Sequence, residues 1–374
     1  MEGTRDRVET RELLVIYPQR KGADQARARL DVVLDHALEG LPVRVLEKME
    51  ELFDVEAASE EGLSGRRLLF AIPLGADGIN HGYYELLAWL RSGFPKKRLA
   101  GCTAGLLIDA DSELYTKSAA RELAAAANRA GCAFFGRPLT EATGSLDNFL
   151  VQAANLKTDR MGAYKNSAKV LAEQVLTSVW KKRTHPHLLV LHASNHRTSN
   201  TMALWEQVKE RLAGVEIREL NLRNGTLEDC SGCPYQMCLH FGERGQCFYG
   251  GAMVEDVYPA VKWADGILLL CPNYNDALSA NLTAFINRLT ALFRTMRFYE
   301  KAMFAIVVSG YSGSDLIEEQ LIGALNMNKT FYLPGNFCML ETGNSPGSAL
   351  RSQGIETRLE EFAATVRGTL LETP

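Results

Sequence analysis

The chain has 374 residues, 46% of them hydrophobic and 23% charged, the composition of an ordinary folded protein but more than one core normally holds. A formal net charge of −4 with no basic block argues against a nucleic-acid partner. The opening "MEGTRDRVET" lacks the apolar stretch of a signal peptide, and no run is long and apolar enough to span a bilayer, so a cytoplasmic protein without a membrane partner is expected.

Residues 13–17, "LLVIY", predict a first strand. Leu30, Val33, Leu34, Ala37 and Leu38 then recur at helical spacing. "LPVRVLEK" at 41–48 predicts a second strand, the run closed by Pro73 a third, and "AGLLID" at 104–109 a fourth with a helix after it. Residues 151–185, which contain "SAKVLAEQVLTSVW", predict a helical join. The series then repeats. "LLVLH" at 188–192 matches 13–17 at an offset of 175, 13 against 188. Leu204, Val208 and Leu212 supply the helix, 215–222 the second strand, the run closed by Pro272 the third, and 304–310 the fourth. This alternation predicts two tandem α/β units, each a doubly wound parallel sheet. The expected organisation is one unit over 1–150, the join over 151–185, and a second unit over 186–374 with an insert at 229–250. The insert follows from arithmetic: by the two prolines the offset has grown from 175 to 199, and the added 24 residues hold four cysteines.

Ligands of open parallel sheets bind beyond the carboxyl ends of the strands. In the second half three loops leave those ends. The first, 193–201, "ASNHRTSNT", opens a helix whose free N–H groups and dipole suit an anion; Ser194, Thr198, Ser199 and Thr201 add hydroxyls, Asn200 an amide, and His196 and Arg197 nitrogen donors. The competing reading is a plain N-cap at Ser199 or Asn200. His192 and His196 are expected to be exposed and solvated. The second loop presents Pro272, Asn273, Tyr274, Asn275, Asp276 and Ala277, and the third Gly310, Tyr311 and Gly313. Together they suit a flat heterocycle with a phosphate tail, such as flavin mononucleotide (FMN). No side-chain acid or base is assigned.

On these loops residues 186–342 resemble the flavodoxin-like NAD(P)H-dependent FMN reductase family, including its iron–sulfur flavoprotein branch. The family's Gly-Ser-x-Arg-x-x-Ser-x-Thr loop is matched at Ser194, Ser199, Asn200 and Thr201, with Ala193 in place of the glycine and the arginine displaced by one position. Its Pro-x-Tyr loop and "Phe-Ile-Asp-Arg" helix correspond to Pro272-Asn273-Tyr274 and Phe285-Ile286-Asn287-Arg288. The resemblance implies a flavodoxin-like fold, FMN phosphate on 194–201, and the isoalloxazine between 273–278 and 310–314. It further implies NAD(P)H as electron donor, with a small molecule or a redox protein as acceptor. Members commonly pair two such domains, so a homodimer stays open, as does a first half that supplies the partner within one chain.

Four of the eight cysteines, Cys230, Cys233, Cys238 and Cys247, form a C-x2-C-x4-C-x8-C series. Four thiolates could hold a 4Fe-4S cluster or tetrahedral zinc, or the segment could hold no metal and only shape access to the flavin. The spacing between the second and third cysteines is wider than in the iron–sulfur branch. Cys102, Cys132 and Cys338 read as core residues. The first half has lost the ligand signals. Its loop 17–25, "YPQRKGADQ", has no Ser or Thr and carries Asp24 at the helix start, and 73–82 lacks the aromatic that follows the proline in the other copy. It is read as a degenerate, structural copy.

Overall fold

A computed structural model describes residues 12–18, 25–58, 62–92, 97–194, 198–223, 225 and 227–372. The chain divides into two compact units, one of residues 1–132 and 138–178, the other of 133–137 and 179–374.

In the first unit the order is β1 (Leu13–Ile16), α1 (Gln25–Ala37), β2 (Val43–Leu46), α2 (Met49–Ala57), β3 (Arg67–Leu74) and α3 (His81–Ser92). It continues with β4 (Thr103–Ala110), α4 (Thr116–Arg129), β5 (Leu139–Ala142), α5 (Leu150–Leu156) and α6 (Arg160–Thr177). In the second unit it is β6 (His187–His192), α7 (Asn200–Lys209), β7 (Glu216–Asn221), α8 (Tyr235–Gly242), α9 (Tyr258–Trp263) and β8 (Gly266–Pro272). There follow α10 (Ala280–Leu292), β9 (Ala302–Ser309), α11 (Ser314–Leu321), β10 (Cys338–Thr342) and α12 (Ile355–Leu370).

Each sheet is five-stranded and parallel. The strand orders are β2-β1-β3-β4-β5 and β7-β6-β8-β9-β10. Both reduce to 2-1-3-4-5, the order of the flavodoxin-like fold, with the switch point between the first and third strands. The doubly wound α/β expectation therefore holds in both halves, and each sheet carries a fifth strand beyond the four read from the chain. Those two are short edge strands, "LTEA" and "CMLET", whose polar residues break the apolar run. The central strands β3, β4 and β9 are buried along their whole length, because helices cover both faces of a parallel sheet.

The repeat persists at the level of register. Pro73 pairs with Asp109, and Pro272 with Val308, so the offset of 199 carries into the fourth strands. Helices α1 and α7 begin 175 residues apart. Within the segment 151–185, α6 buries Ala163, Tyr164, Ala168, Leu171, Ala172 and Val175 in the core of the first unit, with Leu107 and Leu69.

Candidate functional site

In the second unit, loops 193–199, 273–279 and 310–313 leave β6, β8 and β9, adjacent strands, at their carboxyl ends. His196 and Arg197 lie outside the described residues, as does Asn195. Ser199 is the N-cap of α7: its Oγ accepts from Met202 N at 3.3 Å and lies 2.7 Å from Thr201 Oγ1. Thr201 is buried. Asn200 donates from Nδ2 to the carbonyls of Gly343 and Ser345 at 3.0 and 2.9 Å, which ties the start of α7 to the loop after β10. Ser194 behaves differently. Its Oγ is buried and, among the described residues, has no hydrogen-bond partner, a costly state for a hydroxyl unless something else supplies the bond.

The second loop is a turn before it is anything else. Asn275 and Asp276 both adopt positive φ, +55° and +56°, and Ala277 N donates to Tyr274 O at 3.3 Å. Two successive left-handed residues are what a type I′ turn requires, and Asn and Asp tolerate them best after glycine. Asn273 fastens this turn to the third loop, reaching Ser309 Oγ at 3.0 Å, Ser312 O at 3.2 Å and Asp276 Oδ1 at 3.1 Å. Gly313 permits the approach. Its φ is +85°, and a Cβ there would collide with Asp276 Oδ1 and stand 3.0 Å from Asn273 Nδ2. The Asn273 Oδ1 acceptor is left buried and unpartnered. Tyr274 and Tyr311 project at 62% and 82% exposure, and Asn344 Nδ2 donates to Tyr311 Oη at 2.5 Å. Gly310 directly follows β9, and a Cβ there would stand in ordinary contact with Asn344 Oδ1 at 3.5 Å.

Sequence reasoning missed several participants. Ser309, Gln320 and the loop 343–347 frame the site; Gln320 Oε1 accepts from Leu278 N at 3.1 Å. A cleft of about 390 Å³ runs beside the first turns of α7, between Thr198, Ser199, Met202, Ala203 and Glu206 and the Pro346–Gly347 turn. The "ETGNSPGS" stretch is rich in turn formers, but its position beside α7 is a tertiary fact. His192 corrects an expectation. It ends the interior strand β6, pairs with Asn221 of β7 and is only 2% exposed.

The cysteine insert docks along α10. Asn287 Nδ2 donates to Asp229 Oδ1 at 2.9 Å, and Arg294 stacks 4.7 Å over Tyr235. The buried Arg288 guanidinium donates to Glu228 O at 3.3 Å and Gly250 O at 2.8 Å, gathering both ends of the insert. Cys230 is exposed, Cys233, Cys238 and Cys247 are half-buried, and all four are free thiols. Among the described residues no group of three or more His, Cys, Asp or Glu is arranged to hold a metal ion. As placed, the four thiols do not fit a cluster or zinc. Cys102 and Cys132 are core residues, and Cys338 is half-buried.

The equivalent end of the first sheet is filled by the protein itself. Asp24 and most of the 17–25 loop lie outside the described residues, but the first-turn amide of α1 is satisfied from elsewhere: Ala26 N donates to Asp111 Oδ1 at 2.6 Å. A carboxylate from the loop after β4 thus occupies the helix N-terminus where an outside anion would bind. Arg29 Nη2 lies 2.5 Å from Asp109 Oδ1 and 3.9 Å from Asp111 Oδ1. Asn80 fills the second loop, donating to Pro73 O at 2.8 Å. By the two offsets, Arg29 and Asp109 stand where the second unit has the apolar pair Leu204 and Val308. There an ion pair, with Asp109 buried and Arg29 half-buried, replaces core packing.

Residues 186–345 match the sequence model of the family described as NADPH-dependent FMN reductase, which bears out the resemblance read over 186–342. Nothing in that match singles out the iron–sulfur branch. Among solved structures, an NAD(P)H:quinone oxidoreductase from Methanothermobacter marburgensis is similar at 16% identity and a TM-score of 0.37, covering 50% of this chain and 98% of that one. An apo NADH:FMN oxidoreductase is similar at 18% identity and a TM-score of 0.35, covering 50% and 92%. An azoreductase from Bacillus anthracis is similar at 15% and 0.36, covering 49% and 99%. No curated protein matches the chain. Among the described residues no helix is long and apolar enough to cross a membrane.

Proposed function

We propose that the second unit binds one FMN per chain and uses NAD(P)H to reduce a small-molecule or redox-protein acceptor. The observation that carries this reading is a pair of orphaned buried groups. Among the described residues Ser194 Oγ and Asn273 Oδ1 have no hydrogen-bond partner, and they follow the neighbouring strands β6 and β8 at one sheet edge. In this reading Ser194, with Ser199 and Thr201 and the α7 amides, holds the phosphate, and His196 and Arg197 add positive charge. Pro272, Asn273, Tyr274, Asn275, Asp276 and Ala277, with Gly310, Tyr311 and Gly313, carry the ring. Asn273 Oδ1 would accept from a ring N–H, and the exposed faces of Tyr274 and Tyr311 would flank the ring and exclude water. Asn200 acts at one remove by fixing the helix start. Bound FMN supplies hydride and single-electron chemistry, while the protein supplies position and electrostatics.

The first unit is proposed to be structural, since Asp111 and Asn80 already occupy its loops. A cytosolic setting, in which eight cysteines stay reduced, belongs to the same reading. The test is the flavin-to-protein ratio of the purified full chain, with reduction by NADH and by NADPH followed at the flavin absorbance. A ratio near one is expected. A ratio near two, or a colourless protein that does not take up FMN, would overturn the proposal.

A further inference from the structure

Beyond the carboxyl end of α10 lies a group of cations that, among the described residues, pair with no carboxylate. Arg297, Lys329 and Arg137 stand 4.2, 5.3 and 5.9 Å from the centre of one ring, Phe293. Arg294 adjoins them, its guanidinium over Tyr235 and its Nε buried without a partner. Among the described residues, none of the four makes an ion pair with a carboxylate. Lys329 donates to Thr290 Oγ1 at 2.8 Å. Burial pushes its pKa down, and the nearby Arg294 and Arg137 push the same way, while the Cys230 and Cys238 thiols oppose them.

A helix end attracts cations, and Arg297 does donate to Phe293 O at the C-cap of α10. That accounts for the two arginines nearest the helix. It does not account for Lys329 and Arg137, which come from other parts of the fold. Arg137 is held there under strain. Its φ is +57°, an uncommon conformation for a side chain of that size, and its N–H donates to Asn326 O at 3.1 Å. The preceding Gly136 has no room for a Cβ against the Thr330 carbonyl. Like charges brought together by strained backbone repel each other, so the arrangement is relieved by an anion.

We propose that Arg137, Arg294, Arg297 and Lys329 form a binding site for a phosphate-bearing ligand. The charges surround a single ring, and two of the four side chains are half-buried, which suits a compact, multiply charged group better than the spread carboxylates of an acidic protein surface. Guanidinium forks match phosphate geometry. The site is separate from the loops assigned to the flavin. Helix α10 begins just after loop 273–279 and runs 13 residues, about 20 Å, so the cluster lies toward the opposite edge of the sheet. The proposal does not depend on the flavin assignment.

Isothermal titration of the full chain, at ionic strength held constant with chloride, tests it with two probes. Inorganic pyrophosphate represents a free phosphate ligand, and adenosine 2′,5′-bisphosphate a nucleotide. Saturable 1:1 binding of at least one probe is expected, weakened about tenfold or more in Arg294→Gln/Lys329→Gln through the loss of charge-assisted bonds. Tighter binding of the bisphosphate would identify a nucleotide, and tighter binding of pyrophosphate a free phosphate. The exposed Arg137→Ala variant, checked by circular dichroism, gives the same comparison should the double variant fold poorly. Absence of saturable binding, equal affinity in the variants, or binding of polyglutamate alone would overturn the proposal, the last in favour of an acidic protein surface.

Discussion

Asn273 Nδ2 lies 3.0 Å from Ser309 Oγ, so the loop leaving β8 is bonded to the final residue of β9. By the offset of 199 the same two positions in the first unit are Leu74 and Ala110, which cannot form that bond. The contact fixes the second loop against the third in one unit only, and it leaves Asn273 Oδ1 as an acceptor without a donor. Each half of that statement leads to an experiment.

Ser194→Ala separates ligand binding from folding. Among the described residues the Ser194 hydroxyl bonds nothing, so its removal should leave the melting temperature of the apo protein unchanged. A lost hydrogen bond to a phosphate costs about 1.5–3 kcal/mol, so FMN should bind about tenfold or more weakly while riboflavin is unaffected. Ser199→Ala/Thr201→Ala should weaken FMN as well and also lower the melting temperature, because an N-cap contributes about 1 kcal/mol. Fluorescence titration with both flavins, beside thermal melts, decides it. Equal losses for FMN and riboflavin would remove this loop as the phosphate site.

Gly313→Ala acts on the ring side. A positive φ at a residue with a Cβ costs about 1 kcal/mol, and here the new atom also meets Asp276 and Asn273. The two loops must part. FMN and riboflavin should then weaken together, in contrast to Ser194→Ala. Selective loss of FMN alone would show that these loops do not carry the ring.

Cys230→Ser/Cys233→Ser addresses the insert. Its neck is held by Arg288 and its flank by Asn287, none of which involves a thiol. Flavin content and NAD(P)H oxidation should stay within about twofold of the parent, since surface substitutions away from such features change stability by roughly 0.5 kcal/mol or less. Metal analysis of protein purified without oxygen is the check. Stoichiometric iron or zinc, lost in the variant, would show that the thiols rearrange around a metal.

The pH dependence of the first unit should come largely from Asp109. Burial raises its carboxyl pKa to about 7, against the pull of Arg29, with Asp111 adding to the rise. The unfolded value is about 4, so between those limits the folded state holds a proton that the unfolded state has released. Its contribution to stability is therefore full below about pH 4 and is lost as the pH rises through about 7. Asp109→Asn should flatten that part of the profile. Arg29 keeps Asp111 at 3.9 Å and its bonds to the Ala110 and Gly144 carbonyls, so the variant should remain folded. Urea denaturation across this range measures the profile, and an unchanged slope in the variant would refute the assignment.

The sequence by itself determined the architecture of this protein. Apolar runs of strand length alternating with helical periodicity can be buried only as a parallel sheet covered on both faces, and two offsets, 175 and 199, located the repeat and its insert before any coordinate. The three polar loops were legible for the same reason, since small hydroxyl and amide side chains at strand ends have no core to join. The tertiary structure alone decided what those side chains do. Ser199 and Asn200 read alike in the chain, yet one caps α7 and the other reaches the loop after β10, some 145 residues away. His192 read as exposed and is buried, because burial depends on what the fold packs around the strand end. The silence of the first half was visible as missing hydroxyls, but its cause was not: Asp111, 85 residues from Ala26, supplies the anion from within. Long-range hydrogen bonds and charge clusters such as Arg137 with Lys329 depend on closure of the chain in space, and local sequence pattern does not encode the partner.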